Sequence, residues 1–192
     1  MKLRLNKILA QAGLSSRRGG DRLIVDGHVA VNGVVTRSPA TLADPDVDTI
    51  AVDGRPLPPA EAKRYLLLNK PRGYVTTLRD PQGRPVVGDL VTRDVRLYPV
   101  GRLAWGVEGV VLLTNDGAWA QRKLHPRHGV EREYAVGLLE ALYVHQREVL
   151  ERGIDLEEGT ARLISIRPAT QVEARRLEAL IGAARGLHWY QV

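Results

Sequence analysis

The sequence predicts an α+β protein built in two parts. Three observations carry this. A helical apolar period over the first 25 residues gives way to hairpin signals. A proline cluster follows at Pro56, Pro58 and Pro59. Beyond it, short strand patterns mix with helical ones over a longer tract. The expected parts are residues 1–58 and 62–192, with the prolines as linker. A chain of 192 residues suits one or two domains, and 44% hydrophobic residues are enough for a core. With no Phe, the aliphatic residues, three Trp and six Tyr must fill it.

The elements follow in order. Leu5, Ile8, Leu9 and Ala12 recur at i, i+3, i+4 and i+7, one face of a helix, and Gly13 is placed to end it. Ser15 or Ser16 can cap a second helix through Val25, with Leu23 and Ile24 inward. Val29 and Val31 alternate as in a strand. Asn32-Gly33 then marks a tight hairpin, because both turn positions favour positive φ, and Val34 to Thr36 returns. A third strand, Thr49 to Val52, stops at Asp53-Gly54.

Past the linker, Lys63 to Lys70 reads as a buried strand around Leu66-Leu67-Leu68. Strands are expected at Leu97 to Val100 and Val110 to Leu113. Asn115-Asp116-Gly117 can cap a helix from Ala118 to Leu124. Tyr134 to Val136 is strand-like, Leu142 to Arg152 helical with Gly153 at its end, and Ile164 to Arg167 a strand. Val172 to Ala184 fits a helix or a strand, and the chain stops within the strand-like His188 to Val192.

Charge points to a partner class. The net charge is +6 and the pI about 9.9. Residues 1–37 carry seven Lys and Arg against two acids, whereas the remainder carries 21 against 20. A basic excess confined to one segment is the footprint of a nucleic-acid binder. Arg18 and Arg22 share a helix face, with Arg17 at its edge.

Several function classes are excluded or disfavoured. Without Cys there are no disulfides, thiol nucleophiles or Cys-ligated metals, which fits a cytoplasmic setting. No secretory pattern opens the chain, and no run approaches the roughly 20 apolar residues that span a bilayer. His125 and His128 flank Pro126 and read as a loop pair without a third metal ligand. Asp44, Asp46 and Asp48 lack the Gly and Glu of a calcium loop. No Walker loop or nucleophile elbow occurs.

One stretch is specific. Tyr98-Pro99-Val100-Gly101-Arg102-Leu103-Ala104-Trp105-Gly106-Val107-Glu108-Gly109, an apolar run, then Thr114-Asn115-Asp116-Gly117 resembles the signature of the ribosomal-RNA pseudouridine synthases. That signature reads Gly-Arg-Leu-Asp, two variable residues, Thr or Ser, one residue, Gly, an apolar run and Thr-Asn-Asp-Gly. The resemblance extends to Leu66 through Pro71, His125-Pro126, and Arg132-Glu133-Tyr134-Ala135-Val136. The first part resembles the S4 RNA-binding domain through Arg4-Leu5-Asn6-Lys7, Ser15-Ser16-Arg17-Arg18 and Val31-Asn32-Gly33.

The resemblance implies an S4-like domain followed by a synthase-like domain with a mixed, mostly antiparallel sheet. It implies RNA contacts from Arg4, Asn6, Lys7, Ser16, Arg17, Arg18, Arg22 and Asn32, base stacking by Tyr134, and Arg102 beside the nucleophile. It implies no cofactor and no metal, and a monomer acting on ribosomal RNA or a pre-ribosomal particle during ribosome biogenesis. The chain departs from the family in three places. Ala104 stands at the position of the nucleophilic Asp, and a methyl group can neither attack nor exchange a proton. Val107 replaces the Thr or Ser. Gln191-Val192 matches only the first half of a Gln-Val-Arg-Arg-like motif, so the synthase-like domain is expected to be incomplete at its C-terminus. Glu108 and Asp116 are the nearest acids, with Asp116 expected to cap a helix. The expected function is an RNA-binding relative of the synthases with isomerisation impaired. An active synthase with a displaced acid and a non-enzymatic ribosome-assembly factor are the alternatives.

Overall fold

The computed structural model describes residues 1–91, 94–157, 159–182 and 186–192. Two compact units divide the chain, Met1–Gly129 and Val130–Val192.

The first unit opens with β1 (Leu3–Arg4), α1 (Leu5–Gln11) and α2 (Arg17–Val25). The helical period of the sequence is realised as a core: Leu5, Ile8 and Leu9 of α1 bury against Ile24 of α2. Ser16 caps α2, its Oγ accepting the Gly19 amide at 3.0 Å, which satisfies one of the donors a helix start leaves free.

The strands β2 (Val29–Val31), β3 (Val34–Thr36), β4 (Leu42–Ala43), β5 (Ile50–Val52) and β6 (Arg55–Pro56) follow. A four-stranded antiparallel sheet forms in the order β3-β2-β5-β6, and β4 pairs with β1. Both two-residue turns of this sheet use positive φ at each position: Asn32 at 52° and Gly33 at 80°, then Asp53 at 50° and Gly54 at 75°. That backbone twist matches the right-handed twist of the paired strands. Val29, Ala43 and Ile50 close the core from the sheet side.

The same unit continues with β7 (Tyr65–Lys70), β8 (Tyr98–Val100) and β9 (Gly109–Thr114), an antiparallel sheet in the order β7-β9-β8, then α3 (Gly117–Leu124). Val87, Leu97, Val111 and Leu113 form a second core, with Leu68 and Leu103 against it. Contrary to the expectation of a buried strand, Leu66 and Leu67 are 38% and 64% exposed. The reason is position: among the described residues β7 pairs only with β9, so it is an edge strand. Leu67 points to the face away from the core, while Leu66 shares the core face with Leu68 and Leu113 but stands at its margin, outside the buried cluster.

The second unit holds β10 (Ala135–Leu138), α4 (Val144–Arg152), β11 (Ile154–Leu156), β12 (Gly159–Ala161), β13 (Arg167–Pro168), α5 (Gln171–Ile181) and β14 (His188–Gln191). Its main sheet runs β10-β14-β13, all antiparallel, and β11 pairs with β12. The strand expected at Ile164 to Arg167 is shifted and short. Ile164 is exposed, and the Ile166 amide donates to the Glu151 carboxylate at 3.0 Å instead of joining a ladder. The open stretch from Val172 is α5, started by a reciprocal cap between Thr170 and Glu173 and ended at Gly182 with φ 60°. Ala183 and Ala184, also in that stretch, lie outside the described residues.

Leu9 has no exposed surface and lies at the centre of a small core. Leu9→Ala is expected to destabilise the N-terminal part by about 2–5 kcal/mol, from lost transfer energy and the cavity left behind. Chemical denaturation followed by circular dichroism reads it. A loss below about 1 kcal/mol would show that this core does not hold the helices.

Candidate RNA face and catalytic groove

Two loops of the first unit build an open groove of about 500 Å³, lined by residues that include Thr76, Arg79, Asp80, Arg102, Ala104 and Trp105. The loop after β7 is folded back on itself: the Val75 amide donates to the Pro85 carbonyl at 2.9 Å, and the Val87 amide to the Val75 carbonyl at 3.0 Å. Thr76 joins it to the loop after β8. Its hydroxyl donates to the Leu103 carbonyl at 2.6 Å and accepts the Leu103 amide at 3.2 Å.

Ala104 starts a turn in which the Val107 amide donates to its carbonyl at 3.1 Å. The Gly73 amide donates to the Trp105 carbonyl at 2.9 Å. Beneath the turn lies Lys70, wholly buried, with Nζ donating to the Val107 carbonyl at 2.6 Å and to the Pro71 carbonyl at 3.0 Å. Burial pushes this ammonium below its usual pKa, and the charge of Glu108 opposes the shift.

Asp80 is a carboxylate of the groove that the sequence reading overlooked. Arg84 grips it through Nε at 3.0 Å and Nη2 at 2.8 Å, and the amides of Gln82 and Arg84 donate to Oδ2. The Arg84 guanidinium, acting against burial, holds the Asp80 carboxyl down at about 2. The two acids weighed from the sequence are engaged elsewhere. Glu108 lies 3.7 Å from Arg72. Asp116 caps α3, accepting the amides of Ala118 and Trp119 at 3.1 Å each, and also meets Lys63 and Tyr65. Burial works to raise its pKa, but these donors outweigh it and set the group at about 2.

The basic segment divides into exposed cations and engaged polar groups. Arg4, Arg17, Arg18 and Arg22 are exposed and Lys7 is half-buried. None of the five forms an ion pair among the described residues. Asn6, expected at the RNA face, is instead buried. It lies on the core-facing side of α1, and its Nδ2 donates to Asp21 at 2.7 Å, tying α1 to α2. The Ser16 hydroxyl is taken by its cap. The Asn32 amide group bridges to Asp48 and to the Thr49 backbone, fixing the hairpin to the next loop.

Residues 64–168 match the RNA pseudouridylate synthase family, and residues 3–48 match the S4 domain. The chain belongs to the RNA pseudouridylate synthase family. It is 44% identical over 172 residues to an uncharacterized RNA pseudouridine synthase of Aquifex aeolicus, covering 87% of this chain and 68% of that protein. It is 43% identical over 165 residues to one of Mycobacterium leprae, covering 84% of this chain and 64% of that protein. It is also 39% identical over 170 residues to the ribosomal large subunit pseudouridine synthase B of Bacillus subtilis, covering 85% and 68%. A solved structure described as a pseudouridylate synthase superposes with a TM-score of 0.56 at 24% identity, covering 99% of this chain and 76% of that one. The fold is thus the expected α+β arrangement of S4 and synthase parts with mostly antiparallel sheets.

Within this family member, Arg102 and Ala104 line one groove. Arg102 is exposed and forms no ion pair among the described residues. Tyr134 belongs to the second unit, where it is 39% exposed and exchanges two backbone hydrogen bonds with Val192, at 2.8 and 2.9 Å. No group of three His, Asp or Glu positioned for a metal occurs among the described residues, and no helix there is long and apolar enough to cross a membrane.

The Asp116 cap predicts a pH dependence. Its folded pKa of about 2 lies below the ordinary 3.8, so its stabilisation is present above about pH 4 and is lost as pH falls through about 2. Asp116→Asn is expected to cost about 1 kcal/mol near neutrality, the scale of a lost cap, and to lose less stability than the parent between pH 4 and 2. Parallel acid limbs in denaturation curves of the two proteins would contradict this.

Proposed function

We propose that the chain is an RNA-binding member of the RNA pseudouridylate synthase family whose isomerisation of uridine is impaired. The observation that carries the reading is Ala104, which puts a methyl group in the groove at the position matching the family nucleophile. Pseudouridine formation detaches uracil from its ribose, turns it and rejoins it through carbon, with a carboxylate as nucleophile. Val107 also lacks the hydroxyl of the family signature. The groove carboxylate, Asp80, has both oxygens occupied by Arg84 and backbone amides.

The substrate class is ribosomal RNA or a pre-ribosomal particle, met in the cytoplasm during ribosome biogenesis by a monomer. The named large-subunit synthases among its relatives support the ribosomal-RNA substrate class. Arg4, Lys7, Arg17, Arg18 and Arg22 grip phosphates. Asn6, Ser16 and Asn32 act indirectly by holding the helices and hairpin that present them. Arg102 meets the RNA in the groove and Tyr134 stacks on an extruded base. No cofactor or metal takes part.

A second reading keeps the activity and uses Asp80 as a displaced acid, because this ionised carboxylate lines the same groove. Release of tritium from C5-labelled uridine in a precursor-rRNA transcript separates the two. The parent protein is expected to release none above background. Release that is unchanged in Ala104→Asp but abolished in Asp80→Asn would overturn the impaired reading in favour of the second.

For RNA binding, replacing Arg17, Arg18 and Arg22 together by Ala is expected to weaken precursor-rRNA affinity. It should also lower the slope of log K against log salt by up to about three, as fewer counterions are released. Equal affinity at every salt concentration would refute the assigned face.

A further inference from the structure

Trp105 falls on one of the two variable positions of the family signature, immediately after Ala104. Its indole is 55% exposed and lines the groove, stacking on no other ring among the described residues. An exposed Trp on a loose loop would be unremarkable, but this loop is fixed. The Gly73 amide holds the Trp105 carbonyl, the 104–107 turn closes on itself, and Lys70 braces the Val107 carbonyl from below. The backbone carrying the indole is therefore set before any ligand arrives.

The rest of the groove narrows what that ligand is. The hydroxyls of Thr76 and Thr77 are engaged with the Leu103 and Arg79 carbonyls. Asp80 is saturated by Arg84 and two amides. The guanidinium groups of Arg79 and Arg102 have no ion-pair or hydrogen-bond partner among the described residues. The groove thus presents one flat aromatic face, two uncommitted cations and no free carboxylate. An aromatic base joined to phosphates answers all three features, because bases stack on an indole face while phosphates take up guanidinium groups. About 500 Å³ lies within the range of small-ligand sites.

We infer that Trp105 is a stacking platform for an unpaired base of single-stranded RNA, with Arg79 and Arg102 holding the adjoining phosphates. The inference rests on the RNA-binding reading above and adds a binding residue to it. Capture of the base by the indole needs no nucleophile, so it is independent of the lost carboxylate at Ala104.

The test uses the full chain and pentauridylate at low salt, with affinity and tryptophan fluorescence as separate readouts. The parent protein is expected to bind with quenching of its fluorescence. Trp105→Phe should bind within a few-fold of the parent but lose the quenched component, since Trp119 and Trp189 remain. Trp105→Ala should bind roughly 5- to 150-fold more weakly, the range of one base–aromatic stack. Its circular dichroism should match the parent, as the side chain is exposed. No binding by the parent, equal affinity of parent and Trp105→Ala, or Trp105→Phe as weak as Trp105→Ala would each overturn the inference. The N-terminal face fails separately. If Trp105→Ala binds like the parent while the triple arginine variant loses precursor-rRNA affinity, stacking is wrong and the RNA-binding reading stands.

Discussion

Lys70 ends β7 with no exposed surface, and its ammonium holds the carbonyls of Pro71 and Val107. An unpaired buried ammonium costs several kcal/mol, and each hydrogen bond to a charged group offsets roughly 1.5–3 kcal/mol. The two loops that make the groove are thereby tied to one strand end. If the 104–107 turn moved away, the charge would lose an acceptor within a dry site. Thr76 and Gly73 add neutral hydrogen bonds along the same seam. The groove keeps this bracing with Ala104 among its lining residues. The bracing is made by backbone carbonyls and by Lys70 and Thr76, so it does not depend on which side chain stands at position 104.

The N-terminal part separates presenting from contacting. Short polar side chains, which the sequence places in motifs as readily as the arginines, are spent on local geometry: Ser16 on a helix start, Asn6 on the junction of α1 and α2, Asn32 on the hairpin. The arginines of α2 stand outside and form no ion pair among the described residues. Asp21, within that helix, is engaged by Asn6. With three arginines against one carboxylate, α2 keeps a net positive charge at this face.

Much of this was legible from residue order. The apolar spacing at Leu5, Ile8 and Leu9 and the Asn32-Gly33 and Asp53-Gly54 pairs specify their elements through local backbone preference, and each forms where the pattern puts it. Asp116 as a cap was equally local. The failures came where the answer depends on distant partners. Three consecutive leucines do not reveal whether a strand lies at the centre or the edge of a sheet, so Leu67 was expected inside. Ile164 and Ile166 alternate like a strand but find no ladder. Asn6 carries no mark of burial except its place one residue from Leu5. Two misses had local signals. Thr170-Gln171-Val172-Glu173 is a capping-box pattern that identifies α5. Asp80-Pro81-Gln82-Gly83-Arg84 is a turn sequence with opposite charges four apart, which brings Asp80 and Arg84 together. Whether a groove acid is available for chemistry depends on how many donors surround it, and that is a property of the fold.

The open flank of β7 bears on how the molecule behaves in company. An edge strand offers a row of unpaired amides and carbonyls, and Leu66 and Leu67 add exposed apolar surface beside them. Natural edges of this kind are usually blunted by charge or proline, and here Arg64 and Lys63 precede the strand while Pro71 follows it. Those gatekeepers stand at the strand's two ends and leave its middle unguarded. Colloidal behaviour then depends on protein concentration and on the like-charge repulsion of a chain with net charge +6. Added salt screens that repulsion first, so the same ionic conditions that loosen a grip on phosphates also favour strand-to-strand self-association.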